Sequence, residues 1–129
     1  MQKETLEYID RTLTGAGVPY EYGNEWTGSE IPRAFVTGTY TEQPYDVQSG
    51  KQMIDFTLTA EAVGGTWGEL NDLKDKIMQL FLLRKVSLSN GTLLCIAFQT
   101  AAPIPSAAYN VKRMEIRIKI TEWSVTQNV

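Results

Sequence analysis

The sequence of 129 residues contains no histidine and only one cysteine, Cys95. Histidine is the commonest general base and metal ligand, so its absence excludes Ser-His-Asp and Cys-His catalytic arrangements and the usual zinc sites. A single cysteine cannot form a disulfide within the chain, and the apolar neighbours of Cys95 predict a buried, unreactive thiol. We therefore expect no catalytic residues, no metal and no cofactor.

Long apolar runs are also missing, and no segment is apolar enough over a sufficient length to cross a bilayer. Residues Met1–Glu4 lead directly into a charged amphipathic pattern, so we expect no secretory signal. The net charge is −3, and no basic patch is concentrated enough to predict a dedicated nucleic-acid-binding protein. These features favour a protein of the bacterial cytoplasm, with neither membrane nor sequence-specific nucleic acid among its partners.

The charges that are present are distributed unevenly along the chain. The first 65 residues carry four basic and ten acidic side chains, a net charge of −6, whereas the rest carries eight basic and five acidic side chains, a net charge of +3. If the two halves form different faces, copies of the chain could meet acidic side to basic side. Alternatively, both signs are spread over a solvated surface, and the sequence leaves these two interpretations open.

No repeat, low-complexity tract or linker divides the chain, so we expect a single domain over residues 1–129. Apolar residues at helical spacing predict a helix at Lys3–Thr14, ended by Gly15. The segment Glu42–Gly50 is too long for a tight turn and predicts a loop that projects from the body. β-branched and alternating residues predict three strands in this half, at Val18–Tyr22, Arg33–Thr41 and Gln52–Val63.

The second half begins with the clearest helix signal. Thr66 and Glu69 have the spacing of a capping box, in which each side chain bonds the backbone N–H of the other. One helix face then carries Trp67, Leu70, Leu73, Ile77, Leu80 and Phe81. Strands are predicted at Val86–Ser89 and Thr92–Gln99 around a two-residue turn, Asn90-Gly91, followed by a loop at Thr100–Asn110 and a last strand at Val111–Val125.

The predicted order is helix, three strands, helix, then two or three strands, which gives an α+β fold with a mainly antiparallel sheet packed by two helices. One side of the last strand is charged, so it lies outside the core and faces either water or another subunit. The apolar side carries Met114, Ile116, Ile118 and Ile120, and the charged side carries Arg113, Glu115, Arg117 and Lys119.

Other groups of residues give no stronger indication of chemistry. Gly64-Gly65 precedes a helix but lacks the Lys-Ser/Thr pair of a phosphate loop, and Asp72 and Asp75 fit a solvated helix face. An enzyme would have to depend on carboxylates and tyrosines alone. A small-molecule-binding module is a further alternative, with a pocket lined by Tyr20, Tyr22 and Trp26.

The order of elements and the central helix Thr66–Ile77 resemble the tail-terminator and neck proteins of long-tailed bacteriophages, prophages and phage-tail-like particles. The later stretch is similar to the proline-bearing loop and strand of alternating charge found in that family. It runs from Phe98-Gln99 through Pro103-Ile104-Pro105 and Tyr109 to Lys112–Ile118. The likeness extends over Lys3–Glu122 and carries no catalytic residue.

The resemblance implies a structural virion protein, of which about six copies form a ring that caps the tail tube, stops its growth and docks the head connector. Its partners would be further copies of itself, the tail tube protein and the head-connector protein. It would occupy the host cytoplasm during assembly and the virion or phage-tail-like particle afterwards. A neck or head-completion protein, with the same fold and a different partner, is the nearest alternative.

Under this hypothesis two groups of residues are candidates for subunit or partner interfaces. The projecting loop would contact the tube or line its lumen, and the charged side of the last strand would lie at an edge of the subunit and meet acids of a neighbour. The candidates in the loop are Glu42, Pro44, Tyr45 and Asp46, and those in the strand are Arg113, Glu115, Arg117 and Lys119.

Overall fold

A computed structural model describes residues 1–106, 108 and 110–124. The chain is α+β, with two helices and a single sheet of six strands in the order β1-β2-β3-β6-β5-β4. The elements are α1 (Lys3–Gly15), β1 (Tyr20–Tyr22), β2 (Ala34–Glu42), β3 (Lys51–Val63), α2 (Trp67–Phe81), β4 (Leu83–Ser87), β5 (Leu93–Ile104) and β6 (Val111–Trp123).

The sheet is mixed: it is mainly antiparallel, as predicted, but it includes one parallel pair that the prediction did not contain. Strand β1 runs parallel to β2, with Tyr20 opposite Val36, and every other pair of neighbouring strands is antiparallel. Parallel neighbours need a connection long enough to return to the same end of the sheet. Residues 23–33 supply that connection, because their glycines and bends let the chain run back beside β1.

The two helices lie on the same face of the sheet. Helix α2 contacts β3, β4, β5 and β6, and α1 contacts β1 and α2. Ile54, Phe56 and Leu58 of β3 point to this side, which we call the covered face, and their partners on β6 are also buried. Each such aliphatic or aromatic side chain stabilises the fold by about 1.5–3 kcal/mol. The opposite side, with Asp55 and Thr57, is called the open face because no described helix packs on it.

Both helices begin and end close to the predicted bounds. At the start of α2 the Thr66 hydroxyl accepts a hydrogen bond from the Glu69 amide (3.2 Å), and the Glu69 carboxylate accepts one from the Thr66 amide (3.2 Å), so the capping box is confirmed. Leu70, Ile77 and Phe81 are fully buried as predicted. The prediction that Trp67 packs on the sheet is wrong. Its side chain remains 47% exposed, because it lies in the first turn of α2, ahead of the residues that contact the sheet.

The turn between β4 and β5 differs from its prediction. The Leu88 amide donates to the Thr92 carbonyl (2.8 Å) and the Gly91 amide donates to the Leu88 carbonyl (2.9 Å), which leaves a three-residue loop. Gly91 alone adopts a left-handed backbone, with φ of 89°, whereas the predicted two-residue turn needs positive φ at both central residues. A tight turn followed by a glycine bulge therefore replaces it.

Strand β5 continues to Ile104 through the first five residues of the predicted loop, Thr100–Asn110. Pro103 has no N–H to donate, but beyond Ala97 strand β5 pairs with β6 alone, so the proline lies at an edge where it interrupts no second ladder. Two residues of that predicted loop, Ala107 and Tyr109, lie outside the described residues. The same is true of Val125, the last residue of the predicted last strand.

Candidate interaction surfaces

The charged side chains of β6 lie in the middle of the open face, not at an edge of the subunit. Strand β6 pairs with β3 on one side and β5 on the other, which corrects the expected edge position. The reason is the order of pairing, because the last strand inserts between β5, which directly precedes it, and β3, which is distant in sequence. The side chains on this part of the open face are Arg113, Glu115, Arg117 and Lys119.

Each cation of this group faces an acid of the same chain. Arg113 Nε lies 3.0 Å from Glu61 Oε1 on β3, and Arg117 Nε lies 2.9 Å from Glu115 Oε1. Lys119 is opposite Asp55 in the register of β3 and β6. The Arg113 contact is an ion pair without hydrogen-bond geometry, since its Nε–H points to no acceptor. Ion pairs this exposed contribute about 0–1 kcal/mol each, so a partner's acid can compete for these cations.

The predicted projecting loop is present, although Glu42 is the last residue of β2 and its carboxylate pairs with the amino group of Met1. Pro44, Tyr45 and Asp46 are exposed, as their proposed role requires. Asp46 Oδ1 accepts hydrogen bonds from the amides of residues 48 and 49, at 3.1 and 3.4 Å. The hydroxyl and amide of Ser49 lower the pKa of Asp46, which therefore stays ionised at neutral pH.

Backbone bonds make this loop an ordered turn. The Asp46 amide donates to the Lys51 carbonyl (2.9 Å), and the Gly50 amide donates to the Asp46 carbonyl (2.9 Å). The Gly50 carbonyl in turn accepts from the Ser124 amide (3.0 Å), which ties the base of the loop to the end of β6. The tip is left with Val47, whose side chain is 81% exposed. The loop and the Arg113 region lie at opposite ends of the sheet, so the structure does not unite the two candidate groups.

Glu122 is a buried carboxylate that the sequence prediction missed. It lies on the covered face, is only 3% exposed, and accepts hydrogen bonds from the Gln2 amide (3.0 Å) and from the Thr5 hydroxyl. It therefore ties the start of α1 to β6 through the amide of Gln2, the residue before the helix, and through the hydroxyl of Thr5 in its first turn. An acid two residues after Ile120 on the apolar side of β6 is the signal that could have revealed it.

The sequence prediction also missed an apolar groove on the open face. It occupies about 390 Å³ at the end of the sheet where β4 stops and β5 starts. Leu93 and Cys95 of β5, Lys85 of β4 and Trp123 of β6 line it. Leu83 extends the apolar surface and is 64% exposed. Cys95 is half-buried rather than buried as expected, because its side chain points to the open face.

The proposed pocket of Tyr20, Tyr22 and Trp26 does not form. The two tyrosines lie on the side of α1, beside a cleft of about 190 Å³, and burial, followed by the charge of Asp10, raises the pKa of the Tyr20 phenol. Trp26 lies across the sheet and packs on Phe35 with ring centroids 5.3 Å apart. A single small ligand would not contact all three aromatic rings, so these residues do not provide the pocket that a small-molecule-binding module was expected to have.

Within residues 1–106, 108 and 110–124, no three His, Cys, Asp or Glu side chains are grouped to hold a metal ion. Neither described helix is both long and apolar enough to span a membrane. No family model matches the chain, and no curated protein matches its sequence.

Proposed function

We propose that this chain is a structural virion protein, a tail terminator whose copies form a ring of about six on the end of the tail tube. The ring stops tube growth and presents the surface on which the head connector docks. The order of elements and the alternating charge of β6 suggest this family, and no catalytic step is assigned to the chain.

One observation carries the proposal: one end of the sheet bears two dissimilar exposed surfaces, the ordered loop that carries Asp46 and the apolar groove beside Leu93. Leu83 and Leu93 expose 64% and 47% of their surface beside the groove, and such clustered apolar exposure is typical of protein interfaces. A ring requires a heterologous interface, in which two different patches of each subunit meet. Two unlike surfaces on one sheet meet that requirement, whereas a solitary patch favours a dimer.

The charge of the loop also suits a contact with protein. The lowered pKa of Asp46 keeps its carboxylate ionised, so it can pair with a cation of a neighbouring subunit. Arg113 and Arg117 of β6, in contrast, are paired with Glu61 and Glu115 of the same chain, and Lys119 lies opposite Asp55 in the strand register. The open face is therefore suited to contacts with protein.

Deletion of the gene in the parent phage or particle tests the function. We expect tails of abnormal length, because nothing then stops polymerisation of the tube, and electron microscopy of lysates measures that length. Tails of normal length that fail to join heads would instead identify a neck or head-completion protein. Normal tails joined to heads after deletion would contradict both.

A further inference from the structure

The tip of the loop at residues 43–50 is a preformed apolar projection. Val47 is 81% exposed although the residues around it are held by the Asp46 turn, so its exposure does not result from a lack of local order. Tyr45, half exposed, lies at the base of the same turn. A rigid loop loses little conformational freedom on binding, which favours a role in recognition.

The groove between β4, β5 and β6 has the complementary character. Leu93, Trp123 and the Cys95 side chain form its apolar lining, and Lys85 provides a positive charge beside it. Its volume of about 390 Å³ is sufficient for a side chain such as that of Val47 together with part of the loop backbone. Asp46, next to Val47, provides the negative charge that matches Lys85.

The positions of the two surfaces make a contact between copies geometrically simple. Lys51, where the loop joins β3, is in register with Trp123, and Trp123 is in register with Leu93 in the groove. Loop and groove thus lie at the same end of the sheet, separated sideways by two strand spacings, roughly 10 Å. Rotation about an axis nearly parallel to the strands brings the loop of one copy to the groove of the next without inverting either.

We propose that the groove formed by Lys85, Leu93, Cys95 and Trp123 binds the loop tip of a second copy, with Val47 inserted and Asp46 beside Lys85. The contact is head-to-tail, because it joins different surfaces of the two copies, and it repeats around a closed ring. It rests on the proposed function in supplying the interface that the ring needs, but it concerns only copies of this chain.

The single native cysteine allows a direct test. In the Val47→Cys variant each copy carries one thiol on the loop and one, Cys95, in the groove. Oxidation of the concentrated, purified chain with copper phenanthroline should trap disulfides between copies, because a disulfide requires Cα atoms within about 7 Å. Non-reducing electrophoresis should then show a ladder of trimers and larger species, which disappears on reduction.

Three controls distinguish this contact from random collision. The unmodified chain and the double variant V47C/C95S each carry one thiol and should stop at dimers. Val63→Cys places the second thiol at the opposite end of β3, on another exposed valine, and should also give no ladder. Lys85→Glu added to V47C should reduce the ladder several-fold, whereas Lys76→Glu on α2 should leave it unchanged.

The outcomes decide the proposal. A ladder specific to V47C supports it. Species no larger than dimers in V47C, or an equal ladder from V63C, would overturn it, and strong Cys95 dimers of the unmodified chain would show that the groove binds a second groove. Rings of the unmodified protein seen by electron microscopy without the V47C ladder would leave the tail-terminator function intact and reject this contact alone.

Discussion

On the covered face, Phe56 of β3 is paired with Ile118 of β6, and both are fully buried. The next residue of β3, Thr57, is paired with Arg117 on the open face, and both remain accessible. The same two strands therefore supply the core of the fold and a surface for partners. Because side chains alternate with a period of two, a change at one position affects stability and a change at its neighbour affects binding.

The largest expected difference is between Phe56→Ala and Thr57→Ala. The first leaves a cavity beneath the helices and should reduce the free energy of unfolding by about 3–5 kcal/mol. The second should change it by about 0.5 kcal/mol or less, because Thr57 is on the open face. Urea denaturation followed by circular dichroism measures both, and similar losses for the two variants would contradict the division into faces.

The next largest difference in the free energy of unfolding is expected between Glu122→Gln and Glu115→Gln. The Gln2 amide and the Thr5 hydroxyl both donate to Oε2 of Glu122, and Glu122→Gln replaces this buried carboxylate oxygen with the weaker acceptor of a neutral amide, so we expect the free energy of unfolding to fall by about 1–3 kcal/mol. Glu115 pairs with Arg117 on the open face and should contribute less than about 1 kcal/mol. Thermal denaturation in the same buffer compares the two variants, and an E122Q variant as stable as the unmodified chain would contradict the role of Glu122 in holding the start of α1.

Thr66→Ala should reduce stability by about 1 kcal/mol, because it removes the acceptor for the Glu69 amide at the start of α2. Thr14→Ala is the matched control, since the Thr14 hydroxyl bonds a carbonyl within α1 and satisfies no free amide. If Thr66→Ala instead prevented assembly at an unchanged melting temperature, Thr66 would belong to an interface and not only to the cap.

On the open face, Arg113→Glu together with Arg117→Glu should leave the fold intact and weaken ring formation. The ion pairs that are lost contribute about 0–1 kcal/mol each, while a neighbour's acids then meet like charge. Analytical ultracentrifugation at increasing salt should show the same weakening for the unmodified protein. The exchange variant E115R/R117E keeps one pair within the chain. Assembly of the exchange variant at the unmodified level would assign that pair an intrachain role alone.

The smallest expected effect is that of pH on Glu21, whose carboxylate bonds the connection 23–33. The amide and hydroxyl of Thr27 and the amide of Gly28 bond its carboxylate and lower its pKa. A lowered pKa in the folded state means that these bonds contribute fully above the ordinary glutamate pKa and are lost as the pH falls from that value through the lowered pKa of folded Glu21. Acidification should therefore loosen the packing of Trp26 on Phe35.

Fluorescence of Trp26 in a variant with the other two tryptophans replaced by phenylalanine measures this loosening. Glu21→Gln should abolish the transition. A pH-independent signal in the parent would contradict the link between Glu21 and the connection that carries Trp26.

The parts of the fold predicted correctly are those specified by local chemistry. The alternation in β3 and β6 and the capping box of Thr66 depend only on residues close in sequence. The errors lie where a distant strand decides. Pro103 is tolerated in β5 because β4 does not extend as far as this residue, and no local sequence signal shows how far a neighbouring strand extends. Likewise, the parallel pairing of β1 depends on the path of the connection 23–33.

The candidate surfaces show the same division. Exposure of Pro44, Tyr45 and Asp46 was predictable from turn-forming residues. The groove was not, because Leu93, Lys85 and Trp123 come from three strands and meet only through the sheet order. The position of Arg113 at the centre of the open face likewise follows from the insertion of β6 between β3 and β5.

That insertion has a consequence for how the chain is made. Lys51 pairs with Trp123 and Val63 pairs with Val111, so the central ladder of the sheet joins segments that a ribosome synthesises far apart in time. Until residues 111–123 emerge, the inner edges of β3 and β5 have no strand between them, and such unpaired edges are prone to aggregation. Folding dominated by pairings this distant is slow compared with helical proteins of similar size. The nascent chain would therefore complete this sheet only after β6 has been synthesised, and until then a chaperone would protect its unpaired strand edges.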